Sequence, residues 1–186
     1  MVKLHRMVFS VVVTGLVLLG IAFVNNAMAA TAQEIDIKVD AALERFYNEV
    51  GSGKKFVESA EGVLVFPSVF KAGLGVGGEY GEGALRIDSK TVDYYSTAAG
   101  SIGFQLGAQS KTVILVFLDK DTLDTFRNSA GWEVGVDGSV ALITVGAEGS
   151  IDTTNIKEPI VGFVMTNKGL MFNVTLEGSK FTKIVR

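Results

Sequence analysis

Interior glycine weakens a β-strand unless another backbone comes close or the sheet must curve, and this chain sets glycine at strand spacing again and again. In Gly73-Leu74-Gly75-Val76-Gly77 the glycines share one strand face and Leu74 and Val76 the other, because successive side chains alternate. The pattern returns over residues 95–107, with Thr97, Ala99, Ser101 and Gly103 on one face and Ala98, Gly100, Ile102 and Phe104 on the other. It returns once more over residues 138–149. The 22 glycines against two prolines are too ordered for a disordered linker, and 48% hydrophobic residues indicate a globular chain. Several small-residue strands in one domain predict a tightly curved sheet or a small closed barrel.

Around this glycine-rich body the periodicities separate cleanly. Ile35, Val39, Ala42, Leu43, Phe46 and Val50 form an amphipathic helical stripe that Gly51-Ser52-Gly53 ends. A short second helix is expected over residues 54–60. From residue 62 short β-branched runs predict antiparallel strands at 62–66, 72–80, 83–88, 92–108, 112–118, 132–136, 139–151, 159–166, 170–176 and 180–185. One helix interrupts them, with Asp119 as its cap, Asp121 and Asp124 near its positive end, and Leu123, Phe126 and Arg127 at helical spacing. Asn167-Lys168-Gly169 and Glu177-Gly178-Ser179 read as turns. The expected fold is α+β: a curved, mostly antiparallel sheet or small barrel, with N-terminal helices and one helix inserted after mid-chain.

The N-terminus has a different character. Lys3 and Arg6 precede an uncharged apolar run over residues 7–24, followed by Asn25, Asn26 and Ala27-Met28-Ala29. That order predicts a secretory signal peptide over residues 1–29, cut after Ala29 or one residue later. The competing reading is an uncleaved anchor, since the run at about 1.5 Å per residue reaches roughly 27 Å. The small-residue site favours cleavage. Residues 30–61 then form the helical region, and residues 62–186 the glycine-rich body, of one domain. Export is expected, to the periplasm of a Gram-negative cell, with peripheral membrane contact.

Composition narrows the chemistry. The chain has no cysteine, and its single histidine, His5, falls in the leader. Ser-His-Asp and Cys-His catalysis, zinc sites built on imidazole or thiolate, and haem held by histidine are therefore excluded from the remainder. The absent cysteine also leaves no lipoprotein anchor after the apolar run. Without Lys3 and Arg6, the 17 basic residues fall to 15 against 20 acidic ones, a net charge of −5. Such a balance argues against a general nucleic-acid binder, which needs a basic field.

The short motifs weigh toward structure. Gly73-x-Gly75-x-Gly77-Gly78-x-x-Gly81-x-Gly83 resembles a nucleotide loop, but it leads into another strand-like run rather than a helix, and no Gly-Lys-Ser/Thr follows. Asp119-x-Asp121-x-x-Asp124 lacks the glycine and the distal glutamate of a calcium loop, so helix capping is the better account. Glu79 and Glu82, read as flanking a turn, could form an acid-base pair, but solvated turn acids are commoner. Trp132 is expected in the core or at its rim, and Tyr94 and Tyr95 on opposite faces. Asn173-Val174-Thr175 matches a glycosylation acceptor that matters only in a eukaryotic secretory pathway. No cofactor or metal is expected.

Two cationic segments remain. Residues 34–50 carry five acids against Lys38 and Arg45, a poor charge pattern for an anionic surface. Lys54-Lys55-Phe56-Val57 suits one better, and Lys71, between an apolar strand and the glycine run, could join it beside Phe56 and Phe70. A lysine at position 71 could equally reach solvent with no ligand.

The run Gly62-Val63-Leu64-Val65-Phe66-Pro67, continuing through Lys71 to Gly83, resembles the signature of the SYLF lipid-binding domain family. Later stretches match in order: Tyr95-Ser96-Thr97, Ile102 to Gln109, Phe117, Leu123, Phe126-Arg127, Gly131-Trp132, Gly135-Val136-Asp137, Gly169-Leu170-Met171 and Leu176-Glu177-Gly178. The resemblance implies lipid binding rather than catalysis. Eukaryotic members bind phosphoinositide membranes, some bind actin, and an N-terminal amphipathic helix is implicated. Bacterial relatives are exported, often as lipoproteins, and this chain differs in lacking the lipidation cysteine. The expected function is an exported, non-enzymatic module that binds acidic lipid through Lys54, Lys55, Phe56 and Lys71. The alternative is an envelope scaffold that holds a protein partner through its sheet.

Overall fold

Thr31 starts the first helix because its hydroxyl accepts the Glu34 N–H while the Glu34 carboxylate takes the Thr31 N–H, a reciprocal cap. Those hydrogen bonds hold the Glu34 carboxyl below its ordinary pKa. The helix, α1 (Ala32–Glu49), buries Ile35, Val39, Ala42 and Phe46 of the expected stripe, leaving Leu43 half-buried and Val50 buried just past its end. The structure, a computed structural model, describes residues 30–51, 53–103, 109–143, 157–166, 169–170 and 175–186. The leader and most of the expected 139–151 and 170–176 strands lie outside the described residues.

The remaining elements follow in chain order: α2 (Gly53–Glu58), β1 (Gly62–Ile87), β2 (Lys90–Gly103), β3 (Gln109–Phe117), α3 (Lys120–Asn128), β4 (Trp132–Glu133), β5 (Ala141–Leu142), β6 (Ile160–Thr166), β7 (Gly169–Leu170) and β8 (Lys180–Ile184). The strands form one curled sheet in the order β4-β8-β2-β1-β3-β6-β5, with β7 on β6. Its pairs are antiparallel except β5 with β6. The fold is thus the expected α+β class, and the sheet is a half-barrel.

The runs expected at 62–66, 72–80 and 83–88 are one strand. Gly81 and Glu82 do not turn; they pair with Thr97 and Ser96 of β2. β1 nevertheless cannot be straight. Val65 and Gly83 would stand about 60 Å apart at roughly 3.3 Å per residue, yet a Cβ placed on Gly83 would meet the Val65 carbonyl oxygen at 2.1 Å. One placed on Gly81 would lie 2.7 Å from the Ser68 oxygen. β1 therefore doubles back, its first limb pairing with β3 and its second with β2. The first limb lies over the face toward which Gly81 and Gly83 would point side chains. Asp88 and Ser89, at φ 50° and 62°, then close the β1–β2 hairpin as a two-residue turn.

Both sheet faces are covered near the fold's centre. On the inner face Leu64, Phe66, Leu85, Tyr95, Leu115 and Phe117 pack with Leu123 and Phe126 of α3, Trp132 and Phe181. The Phe66 and Phe181 rings stack at 5.4 Å, above the space that Gly83 leaves free. On the outer face α1 sets Phe46 against Phe163 at 4.8 Å. Polar ties fix it. Arg86 reaches Asp40 at 2.7 Å and Asp36 at 3.6 Å, while Asp36 accepts the Thr91 and Tyr94 hydroxyls. The Arg45 guanidinium donates to the Thr166 carbonyl. The apolar stripe of α1 is thus committed to the sheet rather than free for a membrane. No described helix is long and apolar enough to cross one.

Candidate functional site

The stretch after Phe66 decides which side chains reach the surface. In Leu64-Val65-Phe66-Pro67-Ser68-Val69-Phe70-Lys71 simple alternation would put Phe70 with Leu64 and Phe66 in the core, and Lys71 outside. The pairing with β3 instead runs from Phe66 opposite Val113 to Val69 opposite Lys111, so Pro67 and Ser68 face Thr112 alone. This is a β-bulge, a place where proline's missing N–H costs no ladder bond. The Pro67 carbonyl accepts the Thr112 hydroxyl at 2.9 Å. The extra residue reverses the phase: Val69 is buried, and Phe70 points out, 59% exposed. Lys71 shares the inner face with Val69.

Lys111 follows Val113 on the same inner face, and Glu79 follows Leu85, Gly83 and Gly81 on the inner face of the second limb. The three meet where the core ends. Lys111 Nζ lies 2.6 Å from Glu79 Oε2, and Lys71 Nζ lies 3.7 Å from Glu79 Oε1. Glu79 and Lys111 are mostly buried, with side chains 13% and 14% exposed, whereas Lys71 is 34% exposed. One carboxylate thus serves two ammonium groups and leaves one positive charge in excess at the mouth of an acidic protein, in the strand that exposes Phe70.

The other expected site residues lie elsewhere. Lys54, Lys55 and Phe56 share the single turn of α2. Lys54 faces Glu58 at 3.9 Å, Lys55 is exposed, and the Phe56 ring meets Phe163 edge-on at 6.0 Å. Phe56 is therefore partly committed to packing, and Phe70 is the freer aromatic. Lys54 also borders an open cleft of about 760 Å³ between α1, α2 and the β1–β2 turn. Asp40, Glu44, Glu58 and Asp88 surround its two cations, Lys54 and Arg86, and Arg86 is already held by Asp36 and Asp40. Here burial and the Glu58 charge push the Tyr47 hydroxyl above its ordinary pKa. A cleft so rich in carboxylates repels anions, so Lys71 is the better placed of the expected cations. Sequence reading missed Glu79 and Lys111 as its partners, because neither is near it along the chain.

Glu79 and Glu82, three apart in one strand, point to opposite faces and form no carboxylate pair. Glu82 instead accepts from the Tyr80 hydroxyl at 2.8 Å and pairs with Arg186 at 2.5 Å. Asp119 caps α3 by accepting the Thr122 hydroxyl and N–H, which hold its carboxyl below the ordinary range. Trp132 is in the core. Tyr94 and Tyr95 divide as expected, Tyr94 onto Asp36 and Tyr95 against Phe126 at 5.0 Å.

Tyr95 yields a test of this packing. Burial, then the Asp93 charge, push its hydroxyl up to about 12 from 10.0, against a smaller opposing pull from Arg127, and that oxygen has no hydrogen-bond partner among the described residues. The folded state holds this proton more tightly than the unfolded chain does. Its contribution is therefore complete below pH 10 and is lost between pH 10 and about 12. Over that window the folding equilibrium should weaken by up to about tenfold per pH unit. Tyr95→Phe should remove this component and cost at most about 1 kcal/mol at pH 7. Urea melts of both proteins from pH 8 to 12 check it; superimposable alkaline losses would refute the assignment.

Residues 98–184 match the family Ysc84, described as Las17-binding protein actin regulator. This is the SYLF family that the glycine and aromatic pattern resembles. The matched segment, a little under half of the chain, holds Lys111, Tyr95's pairing partner Lys183, α3 and the inner-face aromatics from Phe117 to Phe181. Lys71 and Glu79 lie before it. No curated protein matches the chain.

Proposed function

We propose that this chain, which carries the SYLF segment at residues 98–184, is an exported, non-enzymatic module that docks on an acidic lipid surface. The contact is the end of the first limb of β1, where Phe70 enters the interfacial region and Lys71 meets a headgroup. The observation that carries this reading is the bulge at Pro67-Ser68, which turns Phe70 out to solvent on one strand face while Lys71, on the opposite face at the same rim, joins a charge cluster with one excess cation. A family of lipid- and protein-binding modules supports binding over catalysis. Lys54 and Lys55 add a secondary electrostatic contact. The apo-leader form in the periplasm, with peripheral membrane contact, is the setting in which such a surface would act.

Energetics set the size of the effect. A cation near an anionic surface contributes about 1 kcal/mol, and a buried phenylalanine side chain about 1.5–3 kcal/mol. Phe70→Ser with Lys71→Gln should therefore weaken binding to vesicles containing phosphatidylglycerol or cardiolipin by about thirtyfold or more. Lys54→Glu with Lys55→Glu should weaken it less. Co-sedimentation with neutral and anionic vesicles measures both. Equal, negligible binding of the unaltered protein to the two vesicle types would sink the proposal. A stoichiometric protein retained in detergent from an envelope extract would favour the alternative scaffold, for which the exposed outer strip at Gly78, Tyr80, Ala98 and Gly100 offers a surface.

A further inference from the structure

Among the described residues, two carboxylates each hold two cations, and they do so differently. Asp93 receives Arg127 at 3.0 Å and Lys183 at 2.5 Å, so both donors are within hydrogen-bond reach and α3 is tied to the sheet. Glu79 receives Lys111 at 2.6 Å, but Lys71 stays at 3.7 Å, beyond a hydrogen bond. Lys71 is also the most exposed of its three groups. The two ammonium groups thus converge on one small anion from different strands, one tightly and one loosely, where the site opens to solvent.

We infer that Lys71 and Lys111 form a receptor for one phosphate-type oxyanion, and that Glu79 is its resident internal occupant, which the ligand displaces. The inference rests on the proposed lipid-surface reading for Lys71 and adds its ligand chemistry and its restraint. A phosphate monoester carries up to two negative charges and three terminal oxygens, so it can satisfy both ammonium groups, whereas a diester brings a single charge. The partly buried setting strengthens such a pairing relative to open water. Glu79 weakens the site for weak or singly charged anions, because any ligand must first compete with a carboxylate already in place. Phosphate-monoester lipid and free inorganic phosphate share this chemistry.

The experiment compares the full chain with Glu79→Gln on vesicles of phosphatidylcholine alone, with phosphatidylglycerol, and with phosphatidic acid at matched surface charge. Glu177→Gln, an exposed acid ahead of β8, controls for the altered net charge. Glu79→Gln should bind phosphatidic acid vesicles about fivefold more tightly, and Glu177→Gln should change little. Adding Lys111→Gln to Glu79→Gln should abolish the gain. Calorimetric titration with inorganic phosphate separates the sources: binding to Glu79→Gln without vesicles marks free phosphate as a ligand, and its absence beside tighter vesicle binding marks the headgroup. Equal changes in Glu79→Gln and Glu177→Gln, or weaker binding by a Glu79→Gln protein that melts normally, would overturn the inference. Should Glu79→Gln not fold, Lys111→Gln alone decides: it must lose preference for phosphatidic acid over phosphatidylglycerol. Failure of the unaltered protein on every anionic vesicle, with phosphate still bound by Glu79→Gln, would reject the membrane reading and keep the receptor.

Discussion

Gly83→Ala is expected to cost more than about 3 kcal/mol and to yield little folded protein, the upper end of what overpacking does. Its added Cβ would lie 2.1 Å from the Val65 carbonyl oxygen and 2.8 Å from the Val65 carbonyl carbon. Both are backbone atoms, and backbone cannot swing aside as a flexible side-chain end does. Only movement of a whole limb of β1 relieves the clash, and that movement pulls Phe66 off Phe181. Gly81→Ala, at 2.7 Å from the Ser68 oxygen, should be the milder version. Among the described residues, Gly100→Ala meets nothing within 4 Å and Gly78→Ala only the Ala99 oxygen at 3.9 Å, so each should shift stability by under about 0.5 kcal/mol. Urea melts of the four variants form the test. A Gly83→Ala protein as stable as Gly100→Ala would mean that the limbs are not opposed.

That contrast marks how far the glycine pattern could be read. Alternation showed that glycine in these strands required close approach or curvature, and the doubled-back β1 supplies both. Which glycines carry the requirement is a tertiary matter. Gly83 and Gly100 look alike along the chain, and only the partner limb, eighteen residues before Gly83, tells them apart. The helices were legible for the opposite reason. Thr31, Glu34 and the Ile35–Phe46 stripe act within a few residues of one another, so local spacing contains the whole interaction. The same holds for Asp119 and Thr122 at the start of α3. Two-residue turns were less visible: Asp88-Ser89 adopts positive φ without the glycine or asparagine that usually announces it.

The site was legible only in part. Lys71 stood out because a cation interrupts an apolar run, and Phe56 because it follows two lysines. Phe70 was marked only as the apolar neighbour of Lys71, and its exposure was not, since alternation from Leu64 and Phe66 assigns it to the core. The bulge that reverses its direction depends on β3 offering Thr112 alone against Pro67 and Ser68. Pro67 was the available sign, because proline inside a strand belongs at a bulge or an edge. Glu79 drew notice only through its neighbour Glu82, a pairing that opposite strand faces forbid. Its true partners lie eight residues before and thirty-two after it, and the chain reads as neutral there until the sheet curls.

Phe126→Ala should be the most damaging core truncation among the inner-face aromatics, at about 3–5 kcal/mol. Its ring lies 5.0 Å from Tyr95, 4.9 Å from Phe117, 5.7 Å from Trp132 and 6.3 Å from Phe181. Those four come from β2, β3, β4 and β8, so one side chain of α3 joins the β3 wing of the curled sheet to the β2–β8–β4 wing. Deleting it leaves a cavity that the neighbours cannot all close, because each is fixed in a different strand. Phe126→Leu keeps most of the volume and should recover more than half of the loss. The consequence reaches the charge cluster: Lys111 belongs to β3 and Glu79 to the limb paired with β2, so their 2.6 Å contact depends on the wings staying together. Phe126→Ala should therefore lower the melting temperature and, below it, weaken anionic-vesicle binding, with Phe126→Leu restoring both. Loss of stability without any change in binding would show that the wings are held together at the mouth without α3.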